Sequence, residues 1–194
     1  MKNPKIKRMV GIALLMAMVV VMQALSSIIP PIGGFSISLV LIPIVLGAAV
    51  FGPGAGALLG ATFGTIVYIN CVTGADPGGA MVFQANPVLC FLVVMGKGTL
   101  AGLASGGVYK LLCKVNSYLA MLCAAIICPL VNTGVFVACM LLFFNEVLSA
   151  WAGGADVLGY ILTGLILANF VPELMINVVF SPAGQRIAHF VNKK

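Results

Sequence analysis

Six apolar segments run along the chain, separated by short stretches rich in glycine, proline or polar residues. At a helical rise of about 1.5 Å per residue, most of them are long enough to cross a hydrocarbon core about 30 Å thick. The second and third are short, and a tight turn at "FGPGAG" joins them. The pattern predicts an all-α bundle of six transmembrane helices at residues 9–28, 37–51, 54–69, 87–112, 117–144 and 157–180.

Composition supports the same fold class. The 194 residues are 62% hydrophobic and only 7% charged, whereas soluble domains carry roughly 25% charged residues. A single soluble core could not bury this much apolar surface, which favours a multi-pass membrane protein. No linker or second domain stands out, so we expect one transmembrane domain over residues 1–194. The basic N-terminus and the long apolar run after it indicate an uncleaved first helix rather than a signal peptide.

The positions of the basic residues predict the topology. Three alternate loops, at residues 26–36, 71–86 and 145–156, contain no lysine or arginine. By the positive-inside rule both termini are cytoplasmic, and an even number of helices requires the termini to share a side. The net charge of +6 therefore reports topology, and we expect no nucleic-acid partner. Apart from one lysine, the basic residues are Lys2, Lys5, Lys7, Arg8, Lys110, Lys114, Arg186, Lys193 and Lys194.

The sequence offers little for catalysis or metal binding. None of its six cysteines forms a C-x-x-C pair, and the only histidine is His189, near the C-terminus. A zinc site needs clustered cysteine or histidine ligands, so we expect no metal and no cofactor. The chain also lacks a Walker motif and a nucleophile–base–acid set, which makes an enzyme or a self-powered ATP-driven pump a poor interpretation.

The remaining lysine, Lys97, stands inside the fourth segment, in "LVVMGKGTLAGLASG". A buried ammonium is costly in a membrane and marks a functional position by default. Counted from the outer ends of their helices, Lys97, Asn132 and Asn169 reach a common depth of roughly 15–18 Å. This match predicts a shared polar site near the membrane midplane that opens to the outside.

Glu173 follows Asn169 by one helical turn, and Asn177 follows by another, so the three share one helix face. Two main interpretations of Lys97 stay open. It could form a buried ion pair with Glu173 that locks the fourth and sixth helices together. It could instead be the counter-ion of an anionic ligand, and snorkelling toward the membrane surface is a third possibility.

The outer loops are chemically richer than the inner ones. The first, at residues 26–36, has paired prolines and glycines and fits a lid over the site. Trp151 in the third loop either anchors the protein at the membrane interface or stacks on a ring-bearing ligand. Further candidates for the site are Tyr68 and Asn70 at the end of the third helix, and Asp76, Gln84 and Asn86 in the second loop.

Several stretches together resemble one family. They are the small-residue face of "ALLMA" (Ala13 and Ala17), "SLVLIPIVLGAAVFGPGAGALLGATFG", "GKGTLAGLASGGVYKLL", "CPLVNTGVFVACMLLFF" and "NFVPELMINVVFSPA". With six helices, internal termini and a long first outer loop, the chain is similar over its whole length to the S component of energy-coupling factor (ECF) vitamin transporters. This S component is the substrate-binding membrane subunit.

The resemblance implies a mechanism. An S component in the bacterial plasma membrane captures a vitamin from outside and docks on a membrane-embedded T subunit carried by two cytoplasmic ATPases. ATP hydrolysis then drives it to tip over and release the vitamin inside. Ala13 and Ala17 would form the docking surface.

Within the family, Asn132-Thr133-Gly134 and the Asn169, Glu173, Asn177 series look most like the pantothenate-type branch. The carboxylate of such a vitamin would give Lys97 a partner, while other B vitamins stay open. The rival interpretations are a stand-alone permease working as a homo-oligomer and a membrane scaffold without transport activity.

Overall fold

The computed structural model describes residues 4–28, 39–154 and 156–192, and in these ranges all regular secondary structure is helical. The last three helical elements follow one another without a break, the middle one being a π-helical segment that we call π1. The elements are α1 (Pro4–Ile28), α2 (Leu41–Phe51), α3 (Pro53–Thr73), α4 (Pro77–Ala85), α5 (Pro87–Leu112), α6 (Ser117–Phe143), α7 (Asn145–Ala152), α8 (Val157–Tyr160), π1 (Ile161–Phe170) and α9 (Val171–Asn192).

Five helical runs are long and apolar enough to cross a membrane: α1, α3, α5, α6 and the continuous run from Val157 to Val191. The second predicted span is shorter than expected. Its helix α2 has 11 residues and reaches about 16 Å, which is half of the hydrocarbon core. The sixth crossing therefore stays a prediction, and most of the predicted lid, residues 29–36, lies outside the described residues.

Two glycine stripes bring α3 and α5 into direct backbone contact. A Cβ added at Gly60 would meet the carbonyl of Gly98, and one added at Gly102 would meet the carbonyl of Gly56. The two helices are antiparallel, because residue numbers rise along α3 from Gly56 to Gly60 while their partners fall along α5 from Gly102 to Gly98. Small residues allow such close approach in lipid. The contact fixes the backbone at Gly98 and so the position of its neighbour Lys97.

Both described termini lie at one end of the bundle, which we call the terminal end. At the start of α1, Arg8 Nη2 donates to the carbonyl of Phe51 at 3.1 Å. Near the end of α9, the Tyr109 hydroxyl donates to Gln185 Oε1 at 3.4 Å. Phe51 is the last residue of α2 and Tyr109 lies in the last turn of α5, so these contacts join the ends of α1, α2, α5 and α9. The opposite end carries α4 and α7.

Helices α4 and α7 occupy regions that we predicted to be loops. At nine and eight residues they are too short to be stable alone, and packing has to supply their stability. Each buries an apolar side chain against the bundle, Val82 in α4 and Leu148 in α7. The two helices also contact each other, and together they form a roof over this end of the bundle.

The π1 segment interrupts the regular α-helical geometry of the last membrane helix. It ends just before Pro172, whose ring would clash with the carbonyl four residues earlier in a regular α-helix. A shared face for Asn169, Glu173 and Asn177 was predicted from regular α-helical spacing. Asn169 and Glu173 both line the cavity described below. Asn177, one regular turn beyond Glu173 in α9, does not line it, and its side-chain amide donates to the carbonyl of Glu173 at 2.8 Å.

Replacing Gly102 by alanine tests the α3–α5 contact. The added methyl group would collide with the backbone at Gly56, and we expect a loss of roughly 1–3 kcal/mol of unfolding free energy from this overpacking. The matched control is Gly107→Ala in the same helix, where an added Cβ meets nothing within 4 Å. Thermal melting of both variants in detergent is the measurement, and equal melting temperatures would show that the contact is dispensable.

Candidate functional site

A cavity of about 80 Å³ lies beneath the roof, with walls from α3, α5, α6 and α9. Seven of the residues predicted for the binding site line it. They come from separate stretches of the chain, which only the folded bundle brings together. They are Asn70 from α3, Asp76 from the turn before α4, Lys97 from α5, Asn132 from α6, Trp151 from α7, Asn169 from π1 and Glu173 from α9.

Lys97 presents its ammonium to two aromatic rings. Its Nζ lies 4.7 Å from the ring centroid of Phe136 and 5.8 Å from that of Phe63. A cation within about 6 Å of a ring face is attracted by the electron density of the ring, and more strongly where water is excluded. The two rings therefore stabilise a charge that would be expensive in a purely aliphatic membrane interior.

Two carboxylates face the same cavity. Glu173 is 1% exposed, and Asp76 lies in the turn before α4. Lys97 interacts electrostatically with both, and more strongly with Glu173. The ion-pair and the counter-ion interpretations of Lys97 thus involve the same few side chains, and an anionic ligand would share Lys97 with Glu173.

Three buried oxygen atoms in the cavity walls have unused hydrogen-bonding capacity. Asn132 Oδ1, Thr133 Oγ1 and Asn169 Oδ1 find no partner among the described residues. A buried polar group without a partner costs about 1–3 kcal/mol, and such groups are rare in folded proteins. The arrangement suits a bound molecule that supplies hydroxyl or amide N–H donors.

Trp151 covers the cavity from the roof. Its ring stacks on Phe136, with centroids 6.4 Å apart and planes 25° from parallel. The sequence suggested either an interfacial anchor or a stacking partner for a ligand. In the structure, the ring that Trp151 stacks on belongs to the protein itself.

Three predicted residues lie outside the cavity walls. The side chain of Asn86 accepts from the backbone N–H groups of Val88 and Leu89 at 3.1 and 3.0 Å and so caps α5. An asparagine before a proline at the first helical position is typical of such a cap. Tyr68 packs edge-on against other aromatic rings, and Gln84 is exposed. The geometry gives no support to placing these three in the site.

The sequence analysis did not select several residues that line the cavity. Gln23 on α1 is 6% exposed and lines the cavity. The sequence did indicate it, because a single amide side chain in an apolar helix stands out as a candidate site residue. Phe63 and Phe136 gave no signal, since an aromatic residue does not stand out in an apolar segment.

The face of α1 that carries Ala13 and Ala17 is exposed, whereas Leu15 and Val19 on the same helix are buried. Neither alanine lines the cavity, so this face is available to a partner without disturbing the polar site. Within the described ranges, no group of three or more His, Cys, Asp or Glu side chains is arranged to hold a metal ion.

Comparison with known proteins agrees with this architecture. The model of the family described as "ECF transporter, substrate-specific component" matches residues 7–183. The pantothenic acid transporter PanT of Lactococcus lactis subsp. cremoris (strain MG1363) is 24% identical in an alignment over 194 residues that covers 94% of each chain. With its membrane-length apolar helices, the protein is an integral plasma-membrane protein, and it belongs to the family of ECF transporter substrate-specific components.

Proposed function

We propose that this S component captures pantothenate from outside the cell and delivers it through an ATP-driven coupling module. Its family supports vitamin uptake as the general function, and a relative is named for pantothenic acid. The observation that carries the proposal is the combination, in one buried cavity, of the Lys97 ammonium with three acceptor oxygens that find no partner in the part of the chain that the structure describes.

The chemistry of the cavity matches this ligand. The Lys97 ammonium can pair with a carboxylate, and the oxygens of Asn132, Thr133 and Asn169 can accept hydrogen bonds from a ligand. Pantothenate carries one carboxylate, two hydroxyl groups and one amide N–H, so it supplies both kinds of partner. A vitamin without a carboxylate would leave the ammonium without an anionic partner from the ligand, which is costly in a desolvated site.

Ligand entry requires movement of the roof. The cavity of about 80 Å³ is below the roughly 300 Å³ of a typical small-molecule pocket. We infer that α4 and α7 separate, or that the lid predicted at residues 26–36 opens, when the vitamin enters. In the proposed topology the chain crosses the membrane six times, the termini are cytoplasmic, and the roof faces outward.

Delivery then depends on partners. We propose that the exposed Ala13 and Ala17 face docks on the T subunit, which two ATPases drive. A small-residue face permits the close backbone approach that helix association in lipid needs. The alternative is a stand-alone permease working as a homo-oligomer.

Co-purification and transport assays test the coupling. Gentle extraction of the tagged protein from its native membrane should retain a T subunit and two ATPases, and uptake into proteoliposomes should require all of them and ATP. Uptake by the isolated chain without ATP would favour the permease alternative instead.

Substitution of Lys97 tests the role of the ammonium. In Lys97→Met, binding of pantothenate should weaken by roughly 2–5 kcal/mol, because the ligand carboxylate would be buried without a partner. Isothermal titration of the purified subunit measures this loss. Lys110→Met is the control, since Lys110 is exposed and should leave affinity unchanged.

The melting temperature of the same variant separates the two interpretations of Lys97. A structural ion pair predicts that Lys97→Met melts much lower, because it strands the buried Glu173 carboxylate, and that adding Glu173→Gln restores stability. The counter-ion role predicts little change in melting. A marked drop rescued by the second substitution would rule out the counter-ion role.

Bulky residues on α1 test the docking face. Ala13→Trp with Ala17→Trp should leave vitamin binding intact, because both positions are exposed and neither lines the cavity. Uptake in cells should be abolished, since the coupling subunit could no longer approach closely. Ala138→Trp, at an exposed position of α6, is the control. Loss of binding in the isolated double variant would show that the face is needed for the fold.

A further inference from the structure

Lys97, Phe136 and Trp151 form a continuous series of contacts. The ammonium lies 4.7 Å from the centroid of the Phe136 ring, and the Trp151 ring stacks on the same phenyl group. All three side chains line the cavity. Phe136 also follows Asn132 by four residues, so one face of α6 presents both the ring and a polar wall of the site.

The series connects the charged site to the roof. Trp151 belongs to α7, which is held in place by the fully buried Leu148 packed against Ile161 and Leu165. The position of the Phe136 ring is therefore coupled to the packing of α7. A lysine side chain has four rotatable bonds and keeps one position only where its surroundings hold it. Phe136 and the more distant Phe63 supply that restraint here.

We propose that Phe136 is a positioning residue for the Lys97 ammonium, that Trp151 fixes Phe136, and that this pair sets the preference of the cavity for a carboxylate over a neutral ligand. The inference rests on the proposed function for its ligand. It differs from a packing role for Phe136, because packing would affect charged and neutral ligands alike, whereas positioning of the ammonium affects the charged ligand selectively.

The test compares two probes, pantothenate and its neutral primary amide. In Phe136→Leu, the ratio of the two affinities should fall by about 3- to 30-fold, the range that a cation–π contact supports. Binding of the amide should change by less than about threefold. Phe136→Tyr should restore the ratio, because it keeps the aromatic face. Trp151→Leu should act in the same direction as Phe136→Leu and serves if that variant fails to fold.

A double-mutant cycle completes this arm. In the Lys97→Met background, Phe136→Leu should have no further effect on the ratio, since the cation it positions is absent. Phe91→Leu is the control, because Phe91 packs against Tyr68 and does not line the cavity. Two results would overturn the proposal. One is an equal loss of affinity for both probes in Phe136→Leu. The other is an effect of Phe136→Leu on the affinity ratio that is as large in the Lys97→Met background as in wild type.

A second arm needs no ligand and separates this inference from the proposed function. Lys97 is labelled with a small membrane-permeant amine reagent, and its rate of modification is followed by mass spectrometry. Labelling should be several-fold faster in Phe136→Leu than in wild type, Phe136→Tyr or Phe91→Leu. If wild type binds neither probe, the proposed function fails and this rate decides the positioning role alone. Equal rates in all variants would overturn it.

Discussion

The contact between the backbones of α3 and α5 is the constraint on which the rest of the structure depends. Glycines contact backbone carbonyls across this interface, in the pairs Gly56 with Gly102 and Gly60 with Gly98. The two helices therefore cannot shift without collision. Lipid gives helices no hydrophobic reason to associate, and close packing has to supply the attraction. The resulting rigid pair holds Lys97 on one side and Phe63 on the other. The geometry of the cavity follows from that placement.

A rigid scaffold makes an energetically poor cavity tolerable. The site contains a cation, two carboxylates and buried oxygens without partners among the described residues, each of which works against stability. A flexible bundle would relax by collapsing the cavity or turning these groups away. The glycine contact and the packed roof oppose such collapse, and the unused interactions stay available to a ligand. The free energy gained where α3 packs on α5 thus offsets the cost of burying the polar groups of the cavity.

Much of this arrangement could be predicted from the sequence, for identifiable reasons. Hydropathy located the long helices, and α5 begins and ends at the predicted residues, Pro87 and Leu112. Polar residues at matched depths predicted that Lys97, Asn132 and Asn169 converge, because a polar group in an apolar helix stands out clearly. Phe136 could not be found in this way, since an aromatic side chain in an apolar helix shows no contrast with its neighbours.

The other differences arise from long-range packing. Helices α4 and α7 depend on the bundle for their stability, which a local pattern does not contain. The π1 segment could not be predicted from hydropathy either, although Asn169 within it still lines the cavity as expected. Asn177 lies one regular turn beyond Glu173 and does not line the cavity. Local patterns thus predicted the regular helices but not the elements that depend on contacts across the bundle.

The presence of Glu173 and Lys97 in the walls of one cavity connects the two interpretations of this lysine. An importer has to release its ligand as well as bind it, so a site that left a naked ammonium behind would resist emptying. Glu173 interacts electrostatically with Lys97 and so offers the ammonium an anionic partner within the protein. In the proposed function, a ligand carboxylate would compete with Glu173 for the ammonium, which lowers affinity but also lowers the cost of release. One buried acid beside one buried base therefore suits a carrier better than either group alone.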